Sequence, residues 1–165
     1  MAQSHISFEV SFVEPQAHYA EVSMLLKGNN QPQIDVKMPV WAPGSYLVRE
    51  FAKNVEGFKA IDGKGQALAS QKVNKSTWRI QNPKKSDIRI SYRVYAFEIS
   101  VRTSFVDASH AFLSPTGIFM YPAGQLAKSS TVTIKPFASW SKVSTGLSPV
   151  KPGAFTYTVP NFDIL

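Results

Sequence analysis

The chain has 165 residues, 44% of them hydrophobic and 18% charged, with no cysteine and a net charge of +7. That length fits one domain with a substantial core, the composition excludes a disordered chain, and the lack of cysteine excludes disulfides, thiolate metal sites and a cysteine nucleophile. No apolar run is long enough to span a membrane, and residues 1–5 lack the basic start and apolar stretch of a secretory leader, so a cytoplasmic protein is expected.

Ile6, Phe8, Val10 and Phe12 alternate with Ser7, Glu9 and Ser11, the period of a half-buried strand. After a turn at Pro15 and Gln16, Ala20, Val22, Met24 and Leu26 alternate with Tyr19, Glu21, Ser23 and Lys27. Gly28-Asn29-Asn30 ends this second strand. Ile34, Val36 and Met38 form a short third strand that runs into residues 38–51, Met-Pro-Val-Trp-Ala-Pro-Gly-Ser-Tyr-Leu-Val-Arg-Glu-Phe. This stretch is too rich in Pro, Gly and aromatics for an ordinary connection, and it predicts a rigid loop that shapes a surface. Within 46–55, Val48, Phe51 and Val55 fit one or two helical turns, the only helix that the pattern suggests.

Asp62-Gly63-Lys64-Gly65 then predicts a hairpin turn between strands over 55–61 and 66–73. A further strand is expected over 76–81. The cleanest alternation of all covers Ile88, Ile90, Tyr92, Val94 and Ala96, followed by a strand over 99–106. Residues 109–124 hold two prolines and two glycines among Phe112, Phe119 and Tyr121, and read as a second structured loop. Strands over 131–135, 140–144 and 155–159 complete the chain. Roughly ten or more short strands, with turn signals about every ten residues, predict an all-β antiparallel sandwich, and residues 1–165 read as a single domain. The end of the chain, Asn161-Phe162-Asp163-Ile164-Leu165, is apolar and is expected to mark a domain boundary of a longer polypeptide.

The positive charge is uneven. Residues 53–102 hold 11 basic and four acidic side chains, and elsewhere the two signs cancel. The preferred reading is a sheet whose faces and edges carry Lys and Arg against aggregation; the competing reading is a basic face for nucleic acid. Tyr92-Arg93-Val94-Tyr95-Ala96-Phe97 interleaves aromatic and basic residues as a stacking platform would, yet any half-buried strand produces the same string.

No catalytic motif is present. The three histidines, His5, His18 and His110, have no metal-ligand spacing. His18 reads as a hydrogen-bonded or exposed imidazole. His110 is the one His with a functional case, as it opens the second loop. No nucleotide-binding or nucleophile-elbow pattern occurs, and no catalytic or metal-ligating residue is assigned.

The two loops nevertheless carry a resemblance. Residues 38–51 with Ala52-Lys53-Asn54-Val55, Phe112–Tyr121, 131–136 and the closing Val159–Leu165 resemble the N-terminal domain of the glycyl aminopeptidase family, zinc metallopeptidases that also carry a PDZ domain. The resemblance runs through essentially the whole chain. It implies a β-sandwich similar to the saddle-shaped first domain of aminopeptidase N relatives, with zinc and the catalytic Glu in a following domain. This chain would then be non-catalytic. It would scaffold and partly wall the cleft, its partners being the catalytic and PDZ domains and the full enzyme's peptide substrate. By analogy, the loop Leu113–Tyr121 reaches that cleft, with Ser114, Thr116 and Tyr121 as the residues facing substrate and Asp107 as the nearest carboxylate. Trp41, Tyr46, Arg49 and Glu50 read as aromatics packed under a Pro–Gly loop and an ion pair fixing it.

No cofactor is expected in this chain itself, and neither nucleic acid nor a membrane is expected as a partner. An exposed docking face predicts self-association of the isolated domain. The alternative class is a free-standing sandwich that binds peptide or carbohydrate.

Overall fold

The computed structural model describes residues 4–45, 47–138 and 140–165. Thirteen strands follow in chain order: β1 (His5–Ser11), β2 (Tyr19–Lys27), β3 (Gln33–Lys37), β4 (Val55–Asp62), β5 (Ser70–Asn74), β6 (Thr77–Gln81), β7 (Ile88–Tyr95), β8 (Phe105–Val106), β9 (Ala111–Phe112), β10 (Tyr121–Pro122), β11 (Ser130–Lys135), β12 (Ser148–Pro149) and β13 (Thr156–Val159). They form a seven-stranded sheet in the order β12-β13-β11-β1-β2-β7-β4, a four-stranded sheet β10-β3-β6-β5 and a small pair β8-β9. Neighbours run antiparallel except β1 and β11, which pair in parallel. No α-helix forms among the described residues. Short 3-10 turns stand at Pro15–Ala17, Phe51–Asn54, Pro115–Gly117 and Phe162–Ile164. This is an all-β sandwich.

The alternation places the core. Ile6, Phe8 and Val10 from β1, Val22 and Met24 from β2, and Ile88, Ile90 and Val94 from β7 point inward from the large sheet. Ile34, Val36, Trp78 and Ile80 meet them from the small sheet, and all belong to one continuous cluster. Each such side chain contributes about 1.5–3 kcal/mol on burial. The opposite faces of the strands are polar, because period-2 geometry sends neighbouring residues to opposite sides.

Three local predictions change. Asp62-Gly63-Lys64-Gly65 does turn the chain: Asp62 Oδ1 accepts from the Lys64 and Gln66 amides at 2.9 Å, and Gly65 adopts φ +81°. The hairpin, however, pairs only at Ile61 and Ala67. The chain then crosses to the other sheet, where β5 pairs with β6. Residues 99–103 form a turn, and the strand there is confined to β8. No strand forms over 140–144; that segment is irregular and is held by Trp140, whose Nε1 donates to the Ala108 carbonyl at 3.2 Å. In the first two cases the apolar residues do not enter the core: β5 is exposed along its length, and so are Ile99 and Val101.

Candidate functional site

The two unusual loops meet. Met38 is buried and its amide donates to the Ser76 carbonyl at 2.9 Å, so the first loop leaves β3 from a fixed point. A tight turn joins Ala42 to Ser45, with Gly44 at φ +79°, and the Arg49 amide returns to the Val40 carbonyl at 2.7 Å. The loop ends in the 3-10 turn at Phe51–Asn54. That turn packs on the second one, at Pro115–Gly117: a methyl added to Gly117 would sit 3.4 Å from Phe51 Cδ1.

The second loop is held from inside. Tyr92, buried in the core, donates its hydroxyl hydrogen to the Ile118 carbonyl at 2.8 Å and accepts from the Met120 amide at 3.1 Å. Burial raises the Tyr92 phenol well above its ordinary value. Ser104 Oγ accepts the Ser114 amide at 2.9 Å. Ile118, Phe119 and Met120 are buried, and Thr116 and Tyr121 on either side of them are partly exposed.

Between the loops lies a groove of about 370 Å³. Val40 and Trp41 come from the first loop, Thr116 and Tyr121 from the second, and Asp163 and Ile164 from the end of the chain. Tyr121 rests on Phe162 with ring centroids 5.0 Å apart, and burial raises its phenol, which therefore stays protonated at neutral pH. A larger groove of about 750 Å³ lies across Pro115 and Leu165, which border both. Its walls include Phe12, Phe112, Phe119, Ile134 and Trp140.

The predicted site residues separate. Thr116, Tyr121 and Trp41 share the first groove, and Ser114 lines neither groove. Trp41 is not packed under its loop: it is 54% exposed. Glu50 does form an ion pair that ties the loop down, with Lys75 rather than with Arg49. Arg49 Nε has no hydrogen-bond partner among the described residues. Tyr46 lies outside the described residues. Sequence reasoning missed Leu126 and Asp163 in the groove. The apolar end of the chain was the available signal for the second.

Asp107, the carboxylate named as nearest to the loop, is consumed locally. Ser109 Oγ lies 2.6 Å from Asp107 Oδ1 and 2.8 Å from His110 Nδ1, and the Ser109 and His110 amides donate to the same carboxylate oxygen. The Ser109 hydroxyl first, then the two amides, hold the Asp107 carboxyl below its usual range. The hydroxyl has one hydrogen, and the carboxylate takes it, so His110 Nδ1 is left to donate to Ser109 Oγ. A nucleophilic triad needs the reverse polarity, with the imidazole accepting the serine proton. This cluster is a turn.

His18 Nδ1 donates to the Val106 carbonyl at 2.7 Å, and its ring stacks on Phe97 at 3.7 Å. Among the described residues no three His, Cys, Asp or Glu side chains gather as a metal site would need.

The basic excess is dispersed. Arg79 pairs with Asp35, Arg93 with Glu56, and Lys75 with Glu50. Lys59 lies on β4 and Lys72 on β5, one edge strand of each of the two larger sheets. In the 92–97 string, Tyr92, Val94 and Ala96 are core, while Arg93 and Tyr95 face outward, where Arg93 lies over the Tyr19 ring.

The class that the fold defines is an all-β sandwich with two structured loops that meet at one end. The family model for the Peptidase M61 N-terminal domain matches residues 7–165, and the chain belongs to that family. No curated protein matches. Among solved structures, the chain is similar to an aminopeptidase N family protein from Idiomarina loihiensis, with a TM-score of 0.88 and 27% identity over 97% of this chain. The chain spans 28% of that protein's length.

Proposed function

We propose that this chain is the non-catalytic N-terminal domain of a zinc metallo-aminopeptidase, and that it scaffolds and partly walls the cleft of a catalytic domain. The observation that supports this reading most is the groove in which both family-bearing loops meet residues 162–165. Thr116 offers a hydroxyl, Tyr121 a protonated phenol and Asp163 a carboxylate, a set suited to the polar end of a peptide, while Trp41 offers an apolar wall. Among the described residues no group of metal ligands gathers, and hydrolysis is assigned to the catalytic domain. Zinc belongs to the catalytic domain, and a PDZ domain is a further expected neighbour. Peptide, rather than nucleic acid or a membrane, is the proposed ligand, and the cytoplasm the proposed location.

The test is kinetic and uses the polypeptide of the complete reading frame. Hydrolysis of aminoacyl anilides and bound zinc are measured for the parent and for Ser114→Ala, Thr116→Val, Tyr121→Phe and Trp41→Ala. The expected result is a raised KM or lowered kcat for Thr116→Val and Tyr121→Phe with zinc content unchanged. Unchanged kinetics in all four variants would remove the cleft role, and a protein with neither zinc nor hydrolysis would remove the peptidase reading.

A further inference from the structure

The turn after β7 carries the most exposed apolar side chains of the described chain that lie close together. Ile99 is 84% and Val101 85% exposed. The turn is built, not loose: Ser100 Oγ and Thr103 Oγ1 lie 2.7 Å apart, Thr103 Oγ1 donates to the Glu98 carbonyl at 2.8 Å, and the Arg102 amide donates to Ser100 Oγ at 3.2 Å. Both side chains are β-branched, so they lose little rotamer freedom when they are buried.

Behind the turn the apolar surface continues. Phe97 bridges to Phe105 and stacks on it at 5.2 Å, and Phe105 pairs across β8 and β9 with Phe112. Phe97 and Phe112 are each about half exposed, and Phe112 forms a wall of the larger groove beside Trp140 and Leu165. A largely apolar strip, with His18 packed on Phe97 and His110 on Phe105, thus runs from the base of the turn to the groove. Monomeric proteins seldom leave such a strip open to water. The charges beside it are of both signs: Arg102 and Glu98 on the turn, Lys142 on the groove, and Asp107 tied into its own turn.

We propose that this strip is the docking surface for the catalytic domain, with Ile99 and Val101 as paired anchors seated in an apolar pocket of that domain and acidic residues on the pocket's rim facing Arg102 and Lys142. The proposal rests on the peptidase reading above. Two observations select this occupant. The family is that of an N-terminal domain, and the similar solved structure extends well beyond the matched region. A second copy of the chain is the competing occupant, since a two-fold contact would set the same patch against itself, and the experiment below separates the two.

Hydrogen exchange read by mass spectrometry tests this in the 165-residue chain and in the polypeptide of the complete reading frame. The expected result is that amides 99–103 exchange at least about tenfold more slowly in the longer protein, and that Ile99→Asp with Val101→Asp restores the fast rate there. Exchange in β2 and β7 is unchanged in the double variant, because both substituted side chains lie outside the core. Equal rates in the two proteins overturn the proposal, and so does slow exchange that survives the double substitution. Concentration-dependent protection of the turn in the 165-residue chain overturns it in favour of self-association. Hydrolysis and zinc report separately: an active enzyme with an unprotected turn removes the docking surface alone, whereas a protected turn without zinc or activity removes the peptidase reading.

Discussion

The Tyr92 hydroxyl and the Ile118 carbonyl are hydrogen-bonded at 2.8 Å inside the core, and the same hydroxyl accepts the Met120 amide. One side chain of the central sheet thereby fixes the loop that borders both grooves. Tyr92→Phe removes the bridge and leaves a buried amide and a buried carbonyl without partners. A loss of about 1–3 kcal/mol is expected, measured as a lower urea midpoint with an unchanged slope. Amides 116–121 should exchange faster in the variant while those of β1 do not.

Phe51 couples the two loops through its ring against Gly117. It is nearly fully buried, so Phe51→Ala leaves a cavity between the two 3-10 turns, at an expected cost of about 3 kcal/mol or more. Thermal unfolding checks the cost. Exchange at both 40–50 and 113–121 checks the coupling, since a loss confined to one loop would show that they are independent.

Asp35 and Arg79 face each other across β3 and β6. Arg79 donates from Nε and Nη2 at 2.8 and 2.9 Å, and its hydrogen bonds hold the Asp35 carboxyl below the usual range against the opposing effect of desolvation. A depressed carboxylate contributes stability above its unfolded pKa, near 3.9, and that contribution is lost as pH falls through the folded value. Parent and Asp35→Asn should therefore differ in urea midpoint at about pH 7 and converge as pH falls below about 4. A gap that widens in acid would contradict the assignment.

Nucleic-acid binding should be weak. The basic side chains spread over both sheets, and Arg79, Arg93 and Lys75 already face carboxylates. A binder that neutralises many phosphates shows a steep salt dependence. Fluorescence anisotropy with a labelled single strand should show little binding at about 0.15 M salt and only a shallow dependence below it.

Where both neighbours of a strand lie in its own sheet, the residues alone placed the element. β1, β2 and β7 carry unbroken alternation, and their inward residues are the core. The turn at 62–65 was equally legible, because Gly acts through its own backbone preferences. The family was legible for a related reason: its loops are long and chemically unusual strings.

Tertiary structure decided what apolar residues outside that alternation pack against. Residues 66–73 leave β4 after the bridge at Ala67 and pair with β6 as an exposed edge strand, and 99–103 becomes a turn that leaves Ile99 and Val101 in water. The same holds for the groove. Trp41, Thr116, Tyr121 and Asp163 are up to 122 positions apart in the chain, and no periodicity links them. They meet because Tyr92 and Phe51 anchor the two loops to one end of the sandwich, and Asp107, adjacent in sequence, is lost to the site because its own turn satisfies it first.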